Sequence, residues 1–394
     1  MTIPPMTILS ARLIMPALLA LAVSGCANLG TQVAPGLPTS AKYPKDQAVV
    51  LLLPISAEGR LGAAVDAIEA GYAAALGRDP ANNRKPETKD TSGDALAAYQ
   101  AAAGTSPPPL IIGPLLKNNV NAIAEARSDT SPAMLALNQA DQTSAGMVQF
   151  ALAPEEEART AAELINALAA SQAGSVSTAI VYPQADSWGE RMRAAFVGSL
   201  DKAPVAEVAY AGGQVGDLGD RVAGADIVFM VARPDAAAGV YAGLGGSGAG
   251  RPIIATSHAT DTKADAAEKE GLFYVDVPWL VNREMAREFI ARSPDTPDSD
   301  YTSGEMGRLY AMGIDAYYLG ALVADAGDST AITLPAGMTG DLSFTTTGRL
   351  LRRRLDLGRM GENGVTGPAT VEELAAAVEL GSMAQAEDTD TDAG

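Results

Sequence analysis

Ala48-Val49-Val50-Leu51-Leu52-Leu53 is a continuous apolar run ended by Pro54, the pattern of a strand buried on both faces. A strand covered on both sides needs helices above and below its sheet, and this limits the chain to a layered α/β design. The helices are present in the pattern. Residues 61–76 form an Ala-rich amphipathic stretch closed by Gly77, and 95–103 and 119–126 read as two more helices. Residues 110–112 and 133–137 are further apolar strands, with a weaker one at 87–91. The alternation continues with strands at 148–152, 176–182, 205–210, 227–231, 253–255 and 273–275. Helices fall between and after them at 154–170, 188–200, 234–244, 284–290 and 306–323. Buried strands alternating with helices predict mostly parallel sheets with right-handed crossovers. The units are too many for one comfortable sheet, so two lobes are expected.

The N-terminus speaks to location. Arg12 precedes an apolar stretch at 13–23, and Ser24-Gly25-Cys26 follows at once. About a dozen apolar residues cannot span a bilayer, which needs about 20, so residues 1–25 read as a cleaved signal peptide. Val23-Ser24-Gly25-Cys26 is similar to a bacterial lipobox, which makes Cys26 the expected site of lipid attachment. It is the only cysteine in the sequence, so no disulfide competes for it. Residues 26–47 carry Gly, Pro, Thr and Ser without an apolar period and read as a tether. The formal net charge of −19 argues against nucleic acid and anionic headgroups as partners. Residues 369–394 read as a helix followed by an acidic, solvated tail carrying Glu387, Asp388, Asp390 and Asp392.

Catalytic and cofactor signatures are hard to find. His258 is the only histidine, which excludes multi-histidine metal sites; it reads as an exposed loop residue, with a pocket position as the alternative. Gly243, Gly245, Gly246, Gly248 and Gly250 contain a Gly-x-Gly-x-x-Gly spacing, but after a helix rather than a strand, so a flexible linker is expected. Ser199-Leu200-Asp201-Lys202 has a Ser-x-x-Lys spacing without the accompanying Lys-Thr-Gly. Glu155, Glu156 and Glu157 read as a solvated first helical turn rather than acid/base groups. No enzyme, cofactor or metal site is predicted.

A set of collinear segments carries a resemblance. They include 51–56, Ile112-Gly113-Pro114-Leu115-Leu116, 135–138 ending at Asn138, 150–158, Tyr182-Pro183-Gln184-Ala185-Asp186-Ser187-Trp188-Gly189, Asp276-Val277-Pro278-Trp279-Leu280, 308–317 with Asp315, and 340–343. Together they resemble the penicillin-binding protein activator lipoproteins of the LppC or LpoA type. The resemblance implies a type I periplasmic-binding-protein-like fold, two lobes each with a mostly parallel sheet flanked by helices, joined by three crossovers. On that pattern lobe one takes 45–150 and 253–330, and lobe two 151–252 and 331–368. It also implies a regulatory role: a lipoprotein on the periplasmic face of the outer membrane, binding a class A penicillin-binding protein and activating peptidoglycan synthesis. Ala27 after the lipidated cysteine fits outer-membrane sorting. Better-known members carry a helical-repeat domain ahead of this fold, where this sequence has a tether reaching at most roughly 3.3–3.6 Å per residue.

The rival reading is a solute-binding lipoprotein for a small, amino-acid-like ligand, because the cleft of such folds lies beyond the carboxyl ends of the strands. Ser56, Gly113, Asn138 and Thr256 each follow a predicted strand end and would line it, with Trp188 nearby. The plainer readings are a turn at Gly113-Pro114, core-filling roles for Trp188 and Trp279, and for Asp315 a structural pairing with Arg308 seven residues away.

Overall fold

In the computed structural model residues 40–391 are described, apart from 45–47, 83–84, 107–108, 172–175, 213, 262–265, 294–298, 327–330, 346 and 363–365. Cys26, the signal peptide and most of the tether lie outside the described residues.

The first apolar run forms β1 (Val49–Leu53), followed by α1 (Gly59–Arg78), β2 (Glu87–Asp90), α2 (Ala95–Ala103), β3 (Leu110–Ile112), α3 (Lys117–Ala126), β4 (Met134–Ala136) and β5 (Met147–Gln149). The five strands are all parallel, in the order β2-β1-β3-β4-β5. Successive residues of β1 serve opposite faces. Val49, Leu51 and Leu53 join the core beneath α1, while Val50 and Leu52 join Tyr99, Val120 and Ile123 of α2 and α3. This is the period-2 geometry of a strand with two buried faces.

The second lobe begins with α4 (Glu155–Ser171), then β6 (Thr178–Pro183), α5 (Ser187–Val197), β7 (Ala206–Tyr210), α6 (Leu218–Arg221), β8 (Ile227–Met230), α7 (Ala237–Gly243), β9 (Ile253–Thr256) and β10 (Phe273–Asp276). Lobe one resumes with α8 (Pro278–Val281), α9 (Arg283–Ala291) and the long α10 (Gly304–Ala326). There β11 (Thr333–Gly337), β12 (Gly340–Phe344) and β13 (Leu350–Arg354) make a small antiparallel sheet against the same core. β14 (Asp356–Met360) and β15 (Thr366–Pro368) then re-enter lobe two, and α11 (Val371–Thr391) closes over it. The second sheet runs β15-β14-β10-β9-β8-β6-β7, with β14 alone reversed, antiparallel to both its neighbours β10 and β15.

The chain therefore crosses between lobes three times, at 150–154, around Val277, and at Leu355. The lobe boundaries expected from sequence need correction. Residues 253–276 belong to lobe two, because β9 pairs with β8 and β10 with β9 in parallel register. Residues 331–355 belong to lobe one, and only 356–368 of the expected second stretch join lobe two. The tether also ends earlier than expected: the Ala41 amide donates to Asp79 Oδ2 at 2.7 Å and the Tyr43 hydroxyl to the Tyr317 carbonyl at 2.6 Å. Glu387, Asp388 and Asp390 lie within α11 rather than in an irregular tail.

α1 and α10 approach unusually closely. A Cβ on Gly71 would stand 2.0 Å from the Tyr310 carbonyl oxygen, and one on Gly313 would stand 2.1 Å from that of Ile68. The two helices touch backbone to backbone at this pair of glycines. The glycines at 243–250 likewise form a packed turn rather than a flexible linker, since Gly243 abuts the Val215 carbonyl and Gly250 abuts Gly381.

Candidate functional site

The chemistry gathers where the three crossovers meet. Pro154 precedes α4, so Glu155, Glu156 and Glu157 sit at the positive end of the helix dipole, as the sequence suggests. They are not a solvated turn, however, because Glu156 and Glu157 are buried. α4 packs on β9, β10 and β13, and this turns two of the three carboxylates inward. Glu157 accepts the Ser257 amide on Oε2 at 2.8 Å and the Ser257 hydroxyl on Oε1 at 2.7 Å. Burial pushes its carboxyl up to about 7; nearby Arg308 pulls it down and Asp276 pushes it further up. Glu156 pairs with Arg159 and accepts the backbone amide of Arg353.

Arg308 projects from α10 in lobe one into lobe two. Its Nε and Nη2 donate to the two oxygens of Asp276 at 2.8 and 2.9 Å. The same guanidinium reaches Asp261 Oδ1 at 2.8 Å and the Ser257 carbonyl at 3.2 Å. Burial alone would lower its pKa, but the flanking Asp276 and Asp261 hold it well above its ordinary value. The expected pairing with Asp315 is not made. Asp315 instead accepts the amides of Met338 and Thr339, both at 2.7 Å, and the Thr339 hydroxyl at 2.6 Å. Burial raises its carboxyl to about 6. Arg353, on β13 just before the third crossover, is buried over the Phe150 ring of the first, 5.9 Å from its centroid. Burial lowers its guanidinium to about 10, and its Nε and Nη2 have no hydrogen-bond partner among the described residues.

His258 is half-buried, not the exposed loop residue expected. Its ring meets Trp188 edge-on at 5.3 Å, and burial lowers its pKa. Arg233 covers Trp188 at 4.8 Å and pairs with Asp186 at 2.7 Å. Asp186 in turn caps α5 by accepting the amides of Trp188 and Gly189.

The residues expected to line a cleft fall into two groups. Thr256, fully buried with its hydroxyl unpartnered among the described residues, leads into Ser257 and His258 and so toward Trp188. Ser56, Gly113 and Asn138 stand at the ends of neighbouring strands in lobe one, but their polar atoms are used there. The Ser56 hydroxyl donates to Asp90 at 2.5 Å. The Asn138 amide donates to the Leu115 carbonyl at 2.9 Å while its oxygen accepts from Gln139. Gly113, at φ 108°, lies against the Leu52 carbonyl and precedes Pro114 through a cis peptide. Pro183 ends β6 against Gly189, Pro278 opens α8, and Trp279 is buried with its indole N–H donating to the Tyr301 carbonyl at 2.8 Å. Among the described residues, surface hollows lie elsewhere, around Glu270 and Arg359, around Thr143 and Ile332, and around Gln184 and Arg221. Sequence reasoning missed Ser257, Asp261 and Asp276 as a set. Only Asp276, an acid directly after an apolar strand, left a signal there.

Two lobes, three crossovers and strand carboxyl ends facing the junction define a type I periplasmic-binding-protein-like protein. The sequence matches the family described as "LppC putative lipoprotein" over residues 42–211 and 209–356. The chain belongs to the LppC family. It is 28% identical over 307 residues to the penicillin-binding protein activator LpoA of Enterobacter sp. (strain 638), covering 65% of this chain and 41% of that one. It thus spans about two fifths of that relative's length. The LpoA C-domain of Haemophilus influenzae, titled a regulator of PBP1A, superposes with a TM-score of 0.64 at 23% identity, covering 82% of this chain and 100% of that one. A "putative branched-chain amino acid ABC transporter" from Chromobacterium violaceum superposes with the same TM-score at 25% identity, covering 80% and 100%.

Proposed function

We propose that this protein is a lipid-anchored regulator of peptidoglycan synthesis whose two lobes recognise and activate a class A penicillin-binding protein. The observation that carries this reading is membership of the LppC family across both lobes, from residue 42 to residue 356. The curated relatives are named as activators rather than enzymes, and the fold is that of a domain titled a regulator. The lobe-one strand ends, at Ser56 and Asn138, support the same reading. A small-ligand receptor presents unspent polar groups to its cleft, whereas Ser56 and Asn138 have spent theirs within lobe one. Anchoring through Cys26 on the periplasmic face of the outer membrane completes the proposal; among the described residues no helix is long and apolar enough to cross a membrane.

The test is direct binding between the purified protein and the class A penicillin-binding protein of its own cell, with intact mass measured on the membrane-extracted chain. The reading expects a saturable complex and a mass carrying acyl groups on Cys26. No complex, together with one equivalent of a free amino acid retained through purification, would replace it with the solute-receptor reading.

A further inference from the structure

Arg308 is mounted on lobe one and buried against lobe two. Its helix, α10, is fastened to α1 by the backbone contact at Gly71 and Gly313 and by the pairing of Glu305 with Arg60. From that mount the guanidinium spends all three of its nitrogens on lobe two. Nε and Nη2 donate to Asp276 at 2.8 and 2.9 Å, Nη1 and Nη2 to Asp261 at 3.2 and 2.8 Å, and Nη2 to the Ser257 carbonyl at 3.2 Å. We propose that Arg308 clasps the two lobes together in the ligand-free protein, supplying from within the chain the bridge that a solute receptor of this fold takes from its ligand.

The receiving side is held as firmly as the mount. Glu157 of α4 accepts the amide and hydroxyl of Ser257, and the Thr260 hydroxyl donates to the Ser257 carbonyl at 2.8 Å. The buried Lys269 ammonium donates to the Ala259 carbonyl of the same turn at 2.7 Å. The turn after β9 therefore meets Arg308 with a carbonyl and a carboxylate already in place, so little ordering entropy is lost when the clasp forms.

The charges divide by lobe. Glu157, Asp261 and Asp276 belong to lobe two, and among the described residues the ion pairs of both aspartates are with Arg308. Lobe one adds a second buried cation, Arg353, whose charge faces Glu156 and Glu157. Swinging the lobes apart takes Arg308 from its carboxylates, and a buried bidentate pair is among the costliest to break. Asp276 directly precedes the second crossover and moves least in a hinge rotation. Asp261 and Ser257 stand beyond the end of β9, so theirs are the contacts that rotation breaks. The exposed Arg60–Glu305 pair lies within lobe one and has no part in joining the lobes. Under the regulatory reading a partner meets one fixed two-lobe surface; the clasp itself does not depend on that reading.

The test is single-molecule energy transfer between dyes on Glu125→Cys in lobe one and Lys202→Cys in lobe two. It uses the full chain carrying Cys26→Ser, at neutral pH and without ligand. The parent should show one population, at the transfer set by the spacing in this structure. Arg308→Ala should raise the ratio of separated to joined molecules by about 100-fold or more and so expose a second population. Arg308→Lys keeps the charge, loses the bidentate geometry and should show a smaller second population. Asp261→Asn should do the same, and it probes the same contact if Arg308→Ala fails to fold. Arg60→Ala should match the parent. A parent found mainly in a separated state, or one whose transfer shifts when free amino acids are added, overturns the proposal. So do Arg308 and Asp261 variants that keep the parent's single population, or an Arg60→Ala variant that opens as far as they do. No penicillin-binding protein takes part, so failure here is distinct from failure of the regulatory reading.

Discussion

Asp315 satisfies three donors with a carboxyl that burial has raised to about 6. A carboxyl raised in the folded state binds its proton more tightly there than in the unfolded chain. Its contribution is therefore greatest below pH 3.8 and is lost as pH climbs toward 6, by about 3 kcal/mol. Urea melts of the parent and Asp315→Asn at pH 4 and pH 6.5 check this. The parent should lose more stability between the two pH values than the variant, and equal losses would contradict it. Arg308→Ala leaves Asp276 and Asp261 without their cation and should cost about 3–5 kcal/mol in the same assay, with Arg308→Lys in between. The sequence shows that Asp315 needs a partner, but not which one. Arg308 lies on the same helical face, yet seven residues put it about 10.5 Å away along the axis, too far for contact. The donors that Asp315 does use are two backbone amides and a hydroxyl in the β11–β12 turn, and backbone amides have no sequence signature.

At the scale of elements, the buried strands were legible because β1, β3, β4, β6 and β8 are apolar runs punctuated by Pro, Gly or Asn. β11 to β13 were missed. β12 alternates buried and half-buried residues along Gly340-Asp341-Leu342-Ser343-Phe344, a weak signal among the turn-forming Gly, Thr and Pro around it. Strand membership was not legible at all, since β9 and β10 look the same in sequence whichever sheet they join. The contact between α1 and α10 yields a prediction that runs against helix propensity. Alanine in place of a helical glycine normally gains about 1 kcal/mol. Gly313→Ala should instead destabilise by about 1–3 kcal/mol, because its methyl meets the Ile68 carbonyl and helix backbone cannot repack like a side chain. A denaturation midpoint at or above that of the parent would show that the helices can part.

At the scale of the whole molecule, two lobes share a hinge in which buried charges from α4, β10, α10 and β13 converge. A junction built this way costs desolvation and returns specificity of arrangement. The lobes and their crossovers could be expected from the resemblance, while the junction arises from tertiary contacts as far apart in sequence as Glu156 and Arg353. The most direct test of the regulatory account is the rate at which the class A penicillin-binding protein of the same cell polymerises its lipid-linked substrate, measured with and without one equivalent of this protein. The account predicts a rate increase of several-fold that saturates near one-to-one. A rate unchanged at saturating concentration would contradict it.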